Sequence, residues 1–241
     1  DGSYRNLPYM YQTAEGEPLA SFYLIKTDGI FQSDAEAAAY VNKDGKRIQP
    51  DAVAGDLKFV DANGDGVIND EDRQYCGSAT PKTTFSFSGG FTWKKLSVSA
   101  MFQGVGGAQA LYVGKYMALS DVEGNFNRSK EIMNAWSPSN TGSNIPRLSK
   151  NDPNSNFSTP SDWYLENASY LRLKNLEFGY TFRQPGLAKM GVSSVRVYFA
   201  GSNLLTFTSL KNWDPEKTSG DARNDVHPNM RTYSFGLNIQ F

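Results

Sequence analysis

The run Tyr233-Ser234-Phe235-Gly236-Leu237-Asn238-Ile239-Gln240-Phe241 carries the clearest structural signal in this chain. Aromatic or large aliphatic residues fill every odd position of the run, and small or polar residues fill every even position. Successive side chains of a β-strand point to opposite faces of a sheet. This period of two therefore predicts a strand with one apolar face and one polar face.

Five earlier segments alternate in the same way and are predicted as strands together with residues 231–241. They are residues 20–27, 82–93, 95–103, 169–182 and 194–201. The links between strands alternate in length: two are short (93–96 and 183–193), and three are long (28–81, 104–168 and 202–230). Short turns on one side and long loops on the other are typical of outer-membrane barrels. The predicted fold is all-β, an antiparallel transmembrane β-barrel segment with long extracellular loops.

A soluble β-sandwich is the alternative fold, because it shows the same alternation with its apolar face turned inward. Alternation alone does not separate the two folds. The long loops favour the barrel, because structureless loops of this length are uncommon in compact soluble domains. A short helix is predicted at residues 128–136 within the second loop, ended by Pro138.

Composition narrows the classes of function. The 241 residues include 24 Lys and Arg against 25 Asp and Glu, so no field that would attract nucleic acid is expected. No apolar run reaches the ~18–20 residues of a membrane helix, whereas a barrel strand needs only about 10. Cys76 is the single cysteine, which leaves no internal disulfide framework. Nothing at the start resembles a signal peptide, and the abrupt opening at Asp1 predicts a processed chain or a piece of a larger one.

One motif carries metal chemistry, because residues 61–72 have the spacing of an EF-hand calcium loop with Gly66 at the turn position. The predicted oxygen ligands are the side chains of Asp61, Asn63, Asp65, Asn69 and Asp72 and the carbonyl group of Val67. Asp72 replaces the usual Glu, and its shorter carboxylate would weaken Ca²⁺ binding or leave room for Mg²⁺. We expect a structural Ca²⁺ ion, with Mg²⁺ as the alternative. The competing interpretation is an Asx- and Gly-rich turn without an ion.

Aromatic residues on the predicted outer loops are candidates for substrate contact, because aromatic rings stack on sugar faces. They are Trp136, Trp163, Trp213, Tyr112 and Tyr116. The competing interpretation is that they pack inside the loops or face a partner protein. Arg172 and Arg196 fall on the polar faces of their strands and are expected to line the lumen or pair with acids. His227 is the single histidine, and no nucleophile–base pair or phosphate-binding loop is visible, so no enzyme activity is expected.

Further motifs, taken together, resemble one family. They are Gly29-Ile30-Phe31-Gln32-Ser33, residues 55–73, Ala135-Trp136-Ser137-Pro138, residues 169–175, Gly179-Tyr180-Thr181-Phe182, residues 201–205 and Asp214-Pro215-Glu216. In this order they are similar to the SusC/RagA-like TonB-dependent outer-membrane transporters, and they cover nearly the whole chain.

The resemblance implies the C-terminal portion of such a transporter, whose barrel of about 22 strands encloses a plug. It implies TonB-energised import of glycans or peptides across the cell outer membrane, with a SusD-type surface lipoprotein as partner. The plug and the contact with TonB belong to an N-terminal part that nothing here matches. The last strand also resembles the insertion signal of outer-membrane barrels. Its apolar residues are Tyr233, Phe235, Leu237, Ile239 and Phe241.

About six strands are fewer than the minimum of about eight in bacterial outer-membrane barrels. The edges of an open sheet would leave backbone groups unsatisfied in lipid, at several kcal/mol each. The remaining barrel strands are therefore expected from another segment or chain, unless the fragment does not fold in a membrane. Two other functions stay open at this level: a soluble calcium-stabilised carbohydrate-binding β module, and a surface adhesion fragment.

Overall fold

The computed structural model describes residues 10–120, 127–211, 213–217 and 227–241, which form strands, short helices and 3₁₀ turns. The strands are β1 (Tyr11–Gln12), β2 (Ser21–Ile25), β3 (Thr27–Ile30), β4 (Leu57–Phe59), β5 (Arg73–Gly77), β6 (Thr83–Trp93), β7 (Leu96–Gly106), β8 (Gln109–Leu111), β9 (Leu165–Asn167), β10 (Tyr170–Phe182), β11 (Ser194–Thr208) and β12 (Thr232–Gln240). The α-helices are α1 (Asp34–Ala39), α2 (Gly114–Leu119) and α3 (Pro185–Ala188). Within these ranges, none of the helices has the length and apolar character needed to cross a membrane.

The chain divides into two compact units. Among the described residues, the strand unit comprises 81–108, 167–211, 213–217 and 227–241. The loop unit comprises 10–80, 109–120 and 127–166. The division follows the predicted alternation of strands and long links, because the first two long links supply most of the loop unit.

The strand unit is one five-stranded sheet with the order β12-β11-β10-β7-β6, in which all neighbours are antiparallel. The pairing register aligns the apolar residues of all five strands in transverse rows. In one such row Phe91 faces Val98, Val98 faces Phe178, Phe178 faces Phe199, and Phe199 faces Phe235. Residues paired across neighbouring strands lie on the same face of a sheet, so one face is apolar from edge to edge.

A β-bulge crosses the middle of this sheet. The register of β10 shifts between Leu173 and Asn175 against both neighbours, and Asn203 in β11 has a left-handed φ of 54°. An extra residue in a strand reverses the side to which the following side chains point. The bulge therefore keeps Leu173 and Leu176 on the same face although they are three positions apart, since they pair with Phe102 and Ala100 of the apolar rows.

The predicted end of strand β11 is wrong. The alternation of apolar and polar residues breaks at Asn203, and for this reason the strand was predicted to end at residue 201. In the structure, strand β11 continues to Thr208. The third long link therefore begins after Thr208 and not at residue 202. Residues 212 and 218–226 of that link lie outside the described part of the chain.

The loop unit contains small sheets of its own. Strands β1, β2 and β5 form one sheet, β3 pairs with β4, and β8 pairs with β9. The strand predicted at residues 20–27 is β2, and it belongs here and not to the large sheet. Both of its faces are covered, since Phe22, Leu24 and Ile25 are all buried. Five strands, rather than about six, therefore form the large sheet in the described residues.

The described residues of the first two long links are folded and not structureless. Leu24, Leu111, Phe157 and Tyr164 share one buried cluster, although they come from three distant parts of the sequence. The helix predicted at residues 128–136 is a 3₁₀ turn at Lys130–Asn134. Ser129 begins this turn by accepting the N–H group of Glu131, and a turn this short forms no α-helical ladder.

Candidate functional site

The apolar face of the five-stranded sheet is open to its surroundings. More than a third of the surface is exposed for Phe85, Phe87, Phe91, Trp93, Phe178, Tyr180, Phe182, Val197, Leu205, Phe207, Tyr233, Phe235, Leu237 and Ile239. Soluble monomers rarely expose a contiguous apolar patch this large, which marks a membrane or protein contact. A β-sandwich made from these strands would bury the same face, so the soluble alternative is disfavoured.

Aromatic rings lie over glycines on both faces of the sheet. A side chain at Gly104 would collide with the ring of Phe85 on the apolar face, and one at Gly236 would collide with the ring of Tyr198 on the polar face. Both are directly paired positions on neighbouring strands. The glycines are therefore needed for close packing of a cross-strand ring.

The polar face carries an ion pair in the half of the sheet nearer the short turns. Arg196 of β11 forms an ion pair with Glu177 of β10, and its Nη2 donates a hydrogen bond to Ser97 Oγ at 3.1 Å. The Arg196 guanidinium also lies 5.4 Å from the centre of the Tyr198 ring. Hydroxyl-bearing and small residues surround the pair, as in a hydrated barrel interior.

A second cluster of charges joins β10 to the turn Pro215–Lys217. Arg172 donates to Asp214 at 2.8 Å and lies 3.0 Å from Glu216, which also pairs with Lys174 at 3.0 Å. The amide of Asn229 donates to Glu216 at 2.6 Å, so the cluster holds both the start and the end of the third long link. Because Arg172 and Arg196 both pair with acids, the prediction for these two residues is confirmed.

Side chains of the EF-hand-like loop accept hydrogen bonds from the backbone of the same loop. Asp61 accepts the N–H groups of Gly64 and Gly66, each at 2.8 Å. Asp65 accepts the N–H group of Val67 at 2.8 Å. These are the turn contacts that an Asx- and Gly-rich loop makes with or without an ion.

The predicted ligands at the end of the motif also form hydrogen bonds within the loop. Asp72 is completely buried, and its two oxygens accept the N–H groups of Ala62 and Asn69, each at 2.8 Å. Asn69 caps the following 3₁₀ turn by accepting the N–H group of Glu71 at 2.7 Å. Asp72 and Asn69 thus brace the loop. Within the described ranges, no group of three or more His, Cys, Asp or Glu side chains is arranged to hold a metal ion.

Three of the predicted substrate-contact residues belong to the interior of the loop unit. Trp136, Tyr112 and Tyr116 are each less than a tenth exposed. Trp136 also donates through its indole N–H to Gln32 at 3.2 Å. Burial leaves no ring face open for a sugar, so the prediction is wrong for these three residues, and their competing interpretation as loop core holds.

Trp163 and Trp213 are half-buried, and substrate contact stays a prediction for them. The Trp163 ring packs edge-on against Phe157 and Tyr164, with ring centres 5.6 and 5.0 Å away. Lys115 Nζ lies 4.9 Å from the centre of the same ring and forms an ion pair with Glu166 at 2.7 Å. Burial lowers the pKa of Lys115, an effect that the ion pair with Glu166 opposes. Most of the Trp163 ring surface is therefore already in contact with Phe157, Tyr164 and Lys115.

A buried polar network was not visible in the sequence. Asp56 is completely buried and accepts from Arg147 Nε at 2.7 Å and from Asn156 Nδ2 at 2.8 Å. The Asn156 amide oxygen accepts the N–H group of Leu57 at 2.8 Å, and Asn154 accepts from Gln49 at 2.9 Å. Isolated Asn, Gln and Asp residues in polar loops gave no signal, because their partners lie about a hundred residues away.

Comparison with known proteins agrees with this architecture. No family model matches the chain. TonB-dependent receptor P3 of Formosa agariphila is 33% identical over 238 residues, which cover 94% of this chain and 22% of the receptor. TonB-dependent receptor P26 of the same organism is 30% identical over 237 residues and has 23% of its length matched. TonB-dependent receptor SusC of Bacteroides thetaiotaomicron is 36% identical over 83 residues, 34% of this chain.

Solved structures show the same fold. The structure of the RagAB peptide transporter matches 92% of this chain with a TM-score of 0.68 and 27% identity, using 23% of its own chain. The RagAB peptide importer in the open-open state matches with a TM-score of 0.63 and 26% identity. The chain thus spans 22–23% of the length of TonB-dependent receptors P3 and P26. These relatives are receptors and transporters and not enzymes, as the residues predicted. The chain belongs to the SusC/RagA-like family of TonB-dependent receptors, and its five-stranded sheet has the fold of their transporter barrel.

Proposed function

We propose that this chain forms part of the wall of a TonB-energised importer in the bacterial outer membrane. The proposal is carried by the apolar rows that cross the sheet from Phe91 to Phe235, opposite a polar face with the Glu177–Arg196 ion pair. In this role the apolar face meets lipid and the polar face meets the interior of the barrel. The rest of the receptor supplies the remaining barrel strands, the plug and the contact with TonB. Tyr233, Phe235, Leu237, Ile239 and Phe241 serve as the insertion signal.

A fluorescence experiment tests which face meets lipid. Cys76 is first replaced by Ser, and a small thiol-reactive fluorophore is then placed on Phe87→Cys or on Ser88→Cys in the full-length receptor. The two residues are neighbours on β6 but point to opposite faces. Nitroxide-labelled lipids are expected to quench the probe at residue 87 several-fold more than the probe at residue 88. Equal quenching at the two positions would refute a lipid-facing sheet.

The proposed cargo is a peptide or a glycan, delivered with a SusD-type lipoprotein that the receptor binds at the cell surface. The peptide arm rests on the two RagAB structures, which are described as a peptide transporter and importer. The glycan alternative rests on the family resemblance and on the match to SusC. Cells that carry the intact receptor and its lipoprotein would be given defined oligopeptides or oligosaccharides. Uptake of one class should require both the receptor and TonB, and uptake of neither class would contradict the importer.

We also propose that the motif binds a structural cation through the side chains of Asp61, Asn63, Asp65, Asn69 and Asp72 and the carbonyl group of Val67. Each carboxylate oxygen that accepts an N–H group keeps a second lone pair for the ion. Hard cations such as Ca²⁺ favour such a set of oxygen donors, and Mg²⁺ is the alternative ion. The side chains of Asn63 and Asp65 are exposed, and the amide of Asn63 donates to Asp65 at 3.1 Å, which places the two side chains side by side.

Elemental analysis of the purified receptor tests this site. The wild type is expected to retain calcium after dialysis against metal-free buffer, and Asp61→Ala with Asp65→Ala is expected to lose it. Asp70→Ala is the matched control, because Asp70 lies in the same segment and its exposed carboxylate pairs with Arg73. Equal metal content in all three proteins, or no calcium in the wild type, would contradict the proposed site.

A further inference from the structure

One end of the strand unit carries a cluster of positive charge. Its four cations, together with the neighbouring Trp93, are called here the turn end: Lys94, Lys95, Arg183 and Lys189. Lys94 and Lys95 form the turn between β6 and β7, while Arg183 and Lys189 lie between β10 and β11. The two turns are adjacent, because the Thr181 N–H group donates to the Lys95 carbonyl at 2.8 Å. Four cations are thereby brought to one end of the sheet.

Nothing acidic lies in either turn. Residues 94–95 and 183–193 contain no Asp or Glu. All four cations are exposed, and none of them takes part in an ion pair within the part of the chain that the structure describes. This differs from Arg172, Lys174 and Arg196 within β10 and β11, which are all neutralised by acids. The uncompensated charge at the turn end suits an anionic partner.

Aromatic rings rim the same end. Trp93, Tyr180 and Phe182 are 63%, 39% and 38% exposed, and they lie in the apolar rows nearest the short turns. Lys94 Nζ lies 4.8 Å from the centre of the Trp93 ring, in a turn where Lys94 has a left-handed φ of 56°. Trp and Tyr favour the zone between hydrocarbon and headgroups, and Lys side chains extend from that zone toward phosphate.

We propose that the turn end binds the phosphate groups of anionic glycerophospholipids in the periplasmic leaflet and anchors the sheet at that depth. The inference rests on the proposed function, in which the apolar face spans the membrane and the short turns face the periplasm. The partner is a lipid and not free phosphate, because the four charges border an apolar surface that acyl chains would cover. Attraction of basic residues to an anionic lipid surface is short-ranged and screened by salt.

Native mass spectrometry of the full-length receptor tests the proposal. The receptor is reconstituted with equal amounts of phosphatidylglycerol and phosphatidylcholine, and the lipids that it retains are counted. The test variant is Lys94→Gln, Lys95→Gln, Arg183→Gln and Lys189→Gln together. The matched control removes four exposed lysines from the loop unit by Lys43→Gln, Lys46→Gln, Lys130→Gln and Lys150→Gln. A parallel sample contains inorganic phosphate at a concentration equal to that of the lipid.

The wild type and the control are expected to prefer phosphatidylglycerol, and the test variant should lose about tenfold or more of that preference. Inorganic phosphate should not displace the lipid. A wild type that inserts but shows no preference, or a test variant that keeps the preference, would overturn this inference and leave the membrane assignment standing. Displacement by inorganic phosphate would overturn the lipid assignment. Failure of the receptor to insert into either lipid would overturn both proposals, and heat-modifiable migration on gels reports insertion separately.

Discussion

Replacing Phe178 by arginine is expected to lower the free energy of unfolding of the receptor in lipid vesicles by about 3 kcal/mol. Phe178 lies on the apolar face of β10, pairs with Val98 on one side and Phe199 on the other, and is 48% exposed. A guanidinium at this position would have to enter hydrocarbon or pull water and headgroups toward it. Urea titration of the reconstituted receptor, followed by heat-modifiable migration, measures the loss.

The control is Ser88→Arg, which adds the same side chain to the opposite face. Ser88 borders an open depression that Met101 and Asn175 also line, so the new side chain has room. Its expected effect is within about 1 kcal/mol of the wild type. Similar losses for both variants would mean that the two faces do not differ in their surroundings, which would contradict the barrel assignment.

The second large effect concerns the buried ion pair of the loop unit. Asp56→Ala is expected to destabilise this unit by about 3 kcal/mol, because it leaves the Arg147 guanidinium, the Asn156 amide and the Val53 N–H group without their acceptor. Hydrogen exchange should speed up at the amides of Leu57 and Asn156, whose N–H groups belong to the same network.

Asp28→Ala is the matched comparison. The Lys58–Asp28 and Arg147–Asp56 ion pairs have the same length of 2.7 Å, but the Asp28 side chain is 68% exposed and that of Asp56 is 0% exposed. An exposed pair contributes at most about 1 kcal/mol because water and salt screen it. If the two variants unfold with equal ease, burial does not set the strength of the pair, and the network is not what holds the two links together.

The large sheet was predictable because its signal is local. Alternation placed a strand at residues 82–93, and the structure has Thr83–Trp93; it placed another at residues 169–182, and the structure has Tyr170–Phe182. It failed in β11, where the alternation is interrupted at Asn203 and Leu204, which the pairing register with β10 skips, although the strand continues to Thr208. The continuation depends on pairing with neighbouring strands, and this pairing cannot be seen from one segment alone.

The loop unit was hidden for a different reason. Its core and its polar network join residues that are far apart in sequence, such as Asp56 with Asn156. Residue type identified Trp136 as noteworthy, but only the fold shows that its ring is buried. The residue spacing identified the cation motif. It does not reveal that both carboxylate oxygens of Asp72 accept hydrogen bonds from N–H groups of the same loop.

The polar network between residues 49–59 and 147–158 also bears on how such receptors diversify. The first and second long links complete each other's hydrogen bonds, as when Gln49 donates to Asn154 and Arg147 pairs with Asp56. Exchanging one link with that of a relative would bring together halves that did not evolve together. A chimera that exchanges both links at once should fold, whereas one that exchanges a single link should not. The two links are thus expected to be inherited and recombined as one block.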